Sequence, residues 1–418
     1  MFRVAVIGGQ PHAVAAAKEL GIDVVLVHEE GRYEEEFADH CEQIIHAPIT
    51  DVQALLAALE PEHRRRPFDR VLTTSEDGAV ATSELCQALG LPGTSPRTSR
   101  IVKDKAAMRQ CLAEHDLSPV RHQVVRSADS LTDFLYTVNG RIVVKPVDGV
   151  ASIQIHVADT AEDAAVAWKQ LQEAGHGAAL AEEFLEGPVV SVDTFSHEGR
   201  HLAIGMSEYR MNDRFAEWEV STPSRVAAPH VEVLRAMTYR LLDAVGLTDG
   251  PAHSEFILTP DGPRVLETHN RLAGSGAPEL VRRVSGLSLS RMFLSVPLGI
   301  EELPQDPPEW TSGAAIQFFV PSPGRITAIT GLDQVAESGA RVLRVPAGVT
   351  VPNIVPYINQ LTDADVGVVI GKSEGDVVTP LHSVADCVNG YVIVSGRDAD
   401  DAVARGDEVV GRIRFDTR

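Results

Sequence analysis

The first hundred residues alternate between two kinds of segment, and that alternation restricts the fold more than any other feature of the chain. Residues 2–7 (FRVAVI) are an apolar run closed by Gly8-Gly9. Residues 12–20 have helical spacing, Gly21 stops them, and residues 23–28 (DVVLVH) form a second apolar run. A helix over 52–59, a strand over 70–73 and a helix over 82–89 closed by Gly90 follow. Strands that alternate with helices pair in parallel, because each helix returns the chain to the same end of the sheet. Residues 1–98 therefore read as a wound parallel sheet.

The downstream pattern is mixed. Helices are expected over 104–115, 161–173 and 231–244, and strands over 123–126, 141–147 and 180–184. Residues 189–196 with 201–207, and 255–258 with 264–267, read as hairpins. A Pro-rich linker at 304–308 precedes strands at 314–320, 340–345, 377–381 and 391–395, with a closing helix from about residue 399. The fold class is α/β (α+β), in four parts: 1–98, 99–180, 181–303 and a small β-rich domain over 304–418. A chain of 418 residues accommodates that number of domains.

Composition excludes several classes. The net charge of −22, from 37 basic and 59 acidic side chains, opposes a nucleic-acid surface, which needs clustered Lys and Arg. The one basic run, Arg64-Arg65-Arg66, follows Glu60 and Glu62 and reads as a solvated helix end. No apolar run is long enough to span a membrane, and the N-terminus lacks the pattern of a signal peptide. Cys41, Cys86, Cys111 and Cys387 have no CxxC spacing and fit buried thiols in a reducing cytoplasm. Gly8-Gly9-Gln10-Pro11 lacks the glycines of a dinucleotide fingerprint. Gly367-Val-Val-Ile-Gly371-Lys372-Ser373 has three strand-forming residues where a phosphate loop has four, so its backbone is expected to stay extended. The His197-Glu-Gly-Arg-His201 spacing falls in the turn of the expected 189–207 hairpin, not on the helix such a zinc site needs, and no nucleophile elbow is present.

The most informative stretch is Glu255-Phe-Ile-Leu-Thr-Pro-Asp-Gly-Pro-Arg-Val-Leu-Glu267. A three-residue loop, Pro260-Asp261-Gly262, places Thr259 opposite Pro263, Phe256 opposite Leu266 and Glu255 opposite Glu267. Opposed residues have Cβ atoms roughly 5 Å apart, so the carboxylates repel unless a cation lies between them. Hard oxygen ligands suit magnesium. A polar, glycine-containing segment, Thr268-His269-Asn270-Arg271-Leu272-Ala273-Gly274, follows, with one arginine able to grip a phosphate or carboxylate. Upstream, Lys145 lies inside the strand Ile-Val-Val-Lys-Pro-Val, where burial requires an anion to meet it. Lys105 opens a helix, whose free N–H groups also attract anions. The set fits a nucleoside triphosphate and its metal.

Five motifs in this order resemble the ATP-grasp superfamily, and within it the bacterial L-amino acid ligases. They are Lys-Asp-Lys (103–105), Val-Val-Lys-Pro (143–146), Glu-Glu-Phe-Leu-Glu-Gly (182–187), His-Ser-Glu-Phe (253–256) and Leu-Glu-Thr-His-Asn-Arg-Leu (266–272). The resemblance implies an ATP-grasp fold whose two subdomains clamp ATP. Lys105 and Lys145 would contact phosphates, under a loop at 149–153 that includes Ser152. Glu182, Glu183, Phe184 and Leu185 would line the adenine pocket. Glu255 and Glu267, with His269 or Asn270, would bind Mg2+. Arg271 would face the acyl-phosphate centre, and Gly274 the substrate.

The segment Glu217-Trp-Glu219-Val-Ser-Thr-Pro223 resembles the substrate-recognition loop, with Glu219 pairing an α-amino group. Arg282 and Arg283 are further candidates for an anionic substrate. The implied activity is ATP-dependent ligation of a small-molecule carboxylate to an amine, in a cytoplasmic homodimer. Two alternatives are a biotin-carboxylase-like enzyme with another acceptor and a non-catalytic nucleotide-binding module. This chain departs from the usual family pattern in four places. The phosphate loop Gly149-Val-Ala-Ser-Ile-Gln has fewer glycines than usual, His269 replaces an Asn, Val189 replaces a ribose-binding Glu, and Thr222 replaces a His.

Overall fold

The N-terminal apolar runs become the inner strands of a four-stranded parallel sheet. Its order is Gln43–His46, Asp23–His28, Arg3–Ile7, Arg70–Leu72. The inner two strands are buried almost throughout, as their uninterrupted apolar sequence requires. The structure, a computed structural model, describes residues 1–9, 14–30, 37–147, 154–346 and 355–418. Residues 14–21 are turns rather than the helix expected over 12–20, of which 12–13 lie outside the described residues. The Gln43–His46 edge strand has only two apolar residues and no sequence signal of its own. Arg3, 1% exposed, ties the sheet to the Val52–Arg65 helix through the carboxylate and carbonyl of Glu62, and also pairs with Glu42 at the start of the edge strand.

A second, antiparallel sheet has the order His122–Val125, Ala179–Glu183, Ile142–Pro146, His156–Ala158. The Ala128–Val138 and Ala161–Glu173 helices both open on capping boxes and cover one face with Leu131, Phe134, Trp168 and Leu171. Period-two alternation puts Val143, Lys145 and Glu182 on the other face.

The largest sheet has nine strands, from Gly262–His269 and Gly250–Thr259 at one edge through Val189–His197, Arg200–Met211 and Glu217–Thr222. It continues across the Pro-rich segment: Thr222 pairs with Ala314, and Gly313–Phe318, Gly390–Gly396, Val366–Ile370 and Arg341–Arg344 complete it. The stretch that includes Gly367 is thus a buried strand, as its side chains suggest. The expected closing helix forms over Ala399–Arg412, but the last element is a strand, Arg414–Thr417, in a three-stranded sheet with Gly324–Thr330 and Val377–Val378. Among the described residues no helix is long and apolar enough to cross a membrane.

The Val231–Val245 helix buries Leu234, Leu241 and Leu242 against Val190, Val192, Met206, Phe256 and Val265 of the large sheet. That face is core. The alternate residues Ser191, Asp193, His253 and Glu255 therefore project from the opposite face.

The Ala399–Arg412 helix lies directly on the sheet at glycines. A Cβ at Gly313 would fall 2.1 Å from the Asp398 carbonyl carbon, which is backbone and cannot rotate away. Gly313→Ala should therefore lower the unfolding free energy by about 1–3 kcal/mol in urea titrations. Gly411→Ala, with open space around its Cβ, should be neutral or stabilising.

Candidate functional site

The carboxylate hairpin forms with a different turn from the expected one. Thr259 pairs with Gly262, so Pro260-Asp261 alone makes the loop, and Phe256 pairs with Val265 rather than Leu266. Glu255 still faces Glu267, because the register shifts by one residue between Glu255 and Phe256. Leu266 is the extra residue, a β-bulge. It decides what the strand presents. Val265 is buried in the core beside Phe256. Strict alternation would bury Glu267 and His269 there too. The bulge turns both to the Glu255 side.

Arg109 secures the bulge. Its Nη1 donates to the Val265 carbonyl at 2.7 Å and its Nη2 to the Leu266 carbonyl at 3.2 Å. Its Nε donates to Glu182, which also takes Lys145 Nζ at 2.7 Å. Burial opposes the Glu182 charge, but Lys145 and Arg109 outweigh it and hold the pKa at about 2. Glu182 thus anchors two cations and does not offer its side chain to a base. Arg109 was not among the expected site residues. Its signal was a lone arginine between Met108 and Cys111 on the buried face of the Lys105–Glu114 helix.

One ligand atom each from Glu255, Glu267 and His269 lies within 4.8 Å of the others. Glu267 takes Lys105 Nζ and lies 3.2 Å from His269 Nε2. Burial would raise the Glu267 carboxyl, but Lys105 and His269 carry it well below the ordinary range. The N-terminus of the Lys105–Glu114 helix is not free for an anion, because Asp104 already caps the Ala106 and Ala107 N–H groups. Lys105 therefore acts through its ammonium.

Glu76, on the loop after Arg70–Leu72, enters the site from the N-terminal sheet. Its Oε2 lies 2.8 Å from Arg271 Nη2 and 3.5 Å from His269 Nδ1. His253 Nδ1 is 2.9 Å from Asp193 and its Nε2 is 3.2 Å from Glu255. Burial disfavours its imidazolium, yet the two carboxylates raise its pKa to about 10. Asn270 turns elsewhere. Its amide donates to Ser99 Oγ at 3.4 Å and lines a separate small pocket.

Two cavities meet at the carboxylate pair. One, of 440 Å³, is lined by Val143, Ile155, Leu185 and Met211, with Lys105 and Lys145 among its polar walls. The other, of 870 Å³, is lined by Glu217, Arg271, Gly274 and Ser275, and by Phe318 and Ile358. Tyr209, Phe215, Glu255 and Glu267 line both. Glu183 and Phe184 also border the smaller cavity, where Glu183 pairs with Arg121 at 2.7 Å and Arg141 stacks on Phe184. Ser152 lies outside the described residues.

Glu219 is not in either cavity. It is 1% exposed and accepts from Gln317 Nε2 at 2.7 Å, beside the Ala399–Arg412 helix. Glu217 instead lines the larger cavity and accepts from the Ser275 hydroxyl. A second bulge explains the exchange: Arg210 pairs with Glu219 and Met211 with Glu217, leaving Trp218 unopposed. Burial raises the Glu217 carboxyl, Ser275 opposes this, and Glu255 adds to it. Arg282 borders the large cavity but is held by Glu279 at 2.7 Å. Arg283, whose side chain is 4% exposed, is bonded to Glu279, Ser395 and the Leu361 carbonyl.

Glu182→Gln should cost about 3–5 kcal/mol at neutral pH, because it leaves two buried cations unpaired. A carboxylate whose folded pKa is lowered stabilises above its ordinary pKa. The wild-type contribution is therefore full above pH 4.5 and lost as pH falls toward about 2. The gap between the urea midpoints of the two proteins should narrow across that window.

Comparison with known proteins adds three family matches. Residues 14–93 match an ATP-grasp N-terminal domain, 138–279 an ATP-grasp domain and 360–418 an L-amino acid ligase C-terminal domain 2. Human carnosine synthase 1 is 27% identical over 314 residues, 68% of this chain and 38% of that protein. Dapdiamide A synthase of Enterobacter agglomerans is 24% identical over 293 residues, 66% of this chain and 68% of that protein. The chain spans between 30% and 66% of the length of the first three curated relatives it matches. A crystal structure of an L-amino acid ligase from Bacillus licheniformis superposes with a TM-score of 0.80 at 19% identity, covering 100% of this chain and 99% of that one.

Proposed function

Since this chain belongs to the ATP-grasp superfamily and ends in an L-amino acid ligase C-terminal domain, we propose that it is an ATP-dependent ligase joining an amino acid carboxylate to an amine. The observation that carries this reading is the meeting of two cavities at Glu255 and Glu267. The smaller one suits a nucleotide. Its apolar walls match a base, and Lys105 and Lys145 match phosphates. The larger suits the acid to be activated, whose carboxylate would approach the γ-phosphate from the far side of the carboxylate pair.

A substrate carboxylate oxygen attacks the γ-phosphorus, the bond to the bridging oxygen of ADP breaks, and an acyl phosphate forms. The amine nitrogen then attacks the acyl carbon, phosphate leaves with the bonding pair, and the nitrogen loses a proton. The side chains position reactants and balance charge, as in phosphoryl transfer generally. Two carboxylates and an imidazole within 4.8 Å form a donor set that fits a divalent cation. Glu255 and Glu267 would hold it, and it supplies neutralisation of phosphate charge when bound. Arg271 borders the large cavity, where it would face the reacting carboxylate. Glu217, in the same cavity beside apolar Phe318 and Ile358, would receive the substrate ammonium. Four free thiols fit a reducing cytoplasm, and the homodimer is carried over with the resemblance alone.

A screen of amino acid pairs for ADP and phosphate release tests the reading, and release only with bicarbonate would overturn it. Glu267→Gln should lower metal-dependent ATP turnover by roughly 100-fold or more, with the circular dichroism spectrum unchanged. Near-normal turnover would remove Glu267 from the metal site. Glu217→Gln should raise KM for the amino acid while leaving KM for ATP in place. Equal changes in both would refute its assignment to the ammonium.

A further inference from the structure

The side of the hairpin that carries Glu255 and Glu267 also carries a histidine. His269 is 6% exposed, so its ring orientation is set by packing. Nε2 is directed at Glu267, 3.2 Å away, and belongs to the set of ligand atoms that lie within 4.8 Å of one another. Nδ1, on the other side of the ring, is 3.5 Å from the Glu76 carboxylate. A carboxylate on one ring nitrogen fixes the proton there and leaves the other nitrogen's lone pair for a metal, an arrangement found in most histidine metal sites. Glu76 is itself held by Arg271, so this backing carboxylate is anchored.

The neighbouring polar groups cannot take the same part. Asn270 points at Ser99, away from the carboxylates. His253 pairs with His269 across the hairpin, its ring stacked at 6.4 Å, and its Nε2 likewise meets a carboxylate, but it is outside the three-residue set. The bulge at Leu266 is again decisive, because it turns His269 out of the core together with Glu267.

We propose that His269 is a nitrogen ligand of the divalent cation held by Glu255 and Glu267, and that the site in consequence prefers first-row transition ions to magnesium. The inference rests on the reading of those two glutamates as metal ligands. Magnesium takes oxygen donors and keeps its waters, whereas imidazole nitrogen suits iron, nickel, copper and zinc, and affinity at a mixed site rises along the first row from manganese. The competing arrangement is an imidazolium that only hydrogen-bonds to Glu76 and Glu267.

The test uses the full chain with Mn2+ and ADP, and electron spin echo modulation as readout. Modulation from an imidazole nitrogen is expected. It should change when the protein carries 15N-histidine and vanish in His269→Asn, while persisting in His253→Asn. In competition titrations, His269→Asn should shift the Co2+/Mg2+ affinity ratio toward magnesium by roughly tenfold or more, and Glu76→Gln should weaken Co2+ binding by a similar factor. The labelled wild-type spectrum needs no variant, so a folding defect cannot mask the result. Mn2+ bound in a Glu267-dependent manner without nitrogen modulation would overturn the inference and leave the metal site standing. Modulation lost in His253→Asn instead would overturn it in favour of the other ring. Mn2+ binding indifferent to Glu255→Gln and Glu267→Gln would overturn the metal reading itself.

Discussion

The site depends on one extra residue, Leu266, and on the arginine that holds it in place. Without the bulge, Glu267 and His269 would point into the same apolar layer as Val265. Arg109 fixes the bulge through the Val265 and Leu266 carbonyls, and it can be buried there because Glu182 neutralises it. Glu182 also holds Lys145. One buried cluster of three charges therefore joins the Lys105–Glu114 helix, two strands of the antiparallel sheet and the edge hairpin of the large sheet. Removing one member would strand the others in a poor dielectric, which is far costlier than the cluster is stabilising.

The charges around the cavities follow the same logic. Each cation assigned to phosphate or acyl phosphate is held by a carboxylate: Lys105 by Glu267, Lys145 by Glu182, Arg271 by Glu76. Long flexible side chains are thereby fixed before the chemistry, which is the condition for electrostatic stabilisation of a transition state. The overall charge of −22 does not attract an anion, so affinity for one would have to come from local cations such as these. Glu76 gives the N-terminal sheet a direct part in the site, since it reaches both Arg271 and His269.

The two bulges show where reading a sequence by alternation stops working. Counting by twos from a three-residue turn gives Glu255 opposite Glu267, which is right, but the turn and the pairs between are each off by one and the bulge restores the count. At Trp218 no such compensation occurs. Glu217 and Glu219 share a face by alternation, yet one borders the large cavity and the other accepts from Gln317 beneath the C-terminal helix. A bulge forms where neighbouring elements supply partners for the displaced groups, and those neighbours are distant in sequence.

By itself the sequence determined the local elements that carry strong periodicity. The apolar runs of the parallel sheet, the capped helix at 161–173, the buried Lys145 and the opposed carboxylates were all legible, because spacing, caps and desolvation act over a few residues. Tertiary structure decided the rest. It turned Asn270 toward Ser99 and His269 toward Glu267, brought Glu76 to Arg271 across 195 residues, and put Arg109 on the bulge carbonyls 156 and 157 residues away. Such contacts leave no periodic trace. Only the packed sheets set which distant group meets a buried polar atom, and that meeting fixed the orientation of the functional side chains.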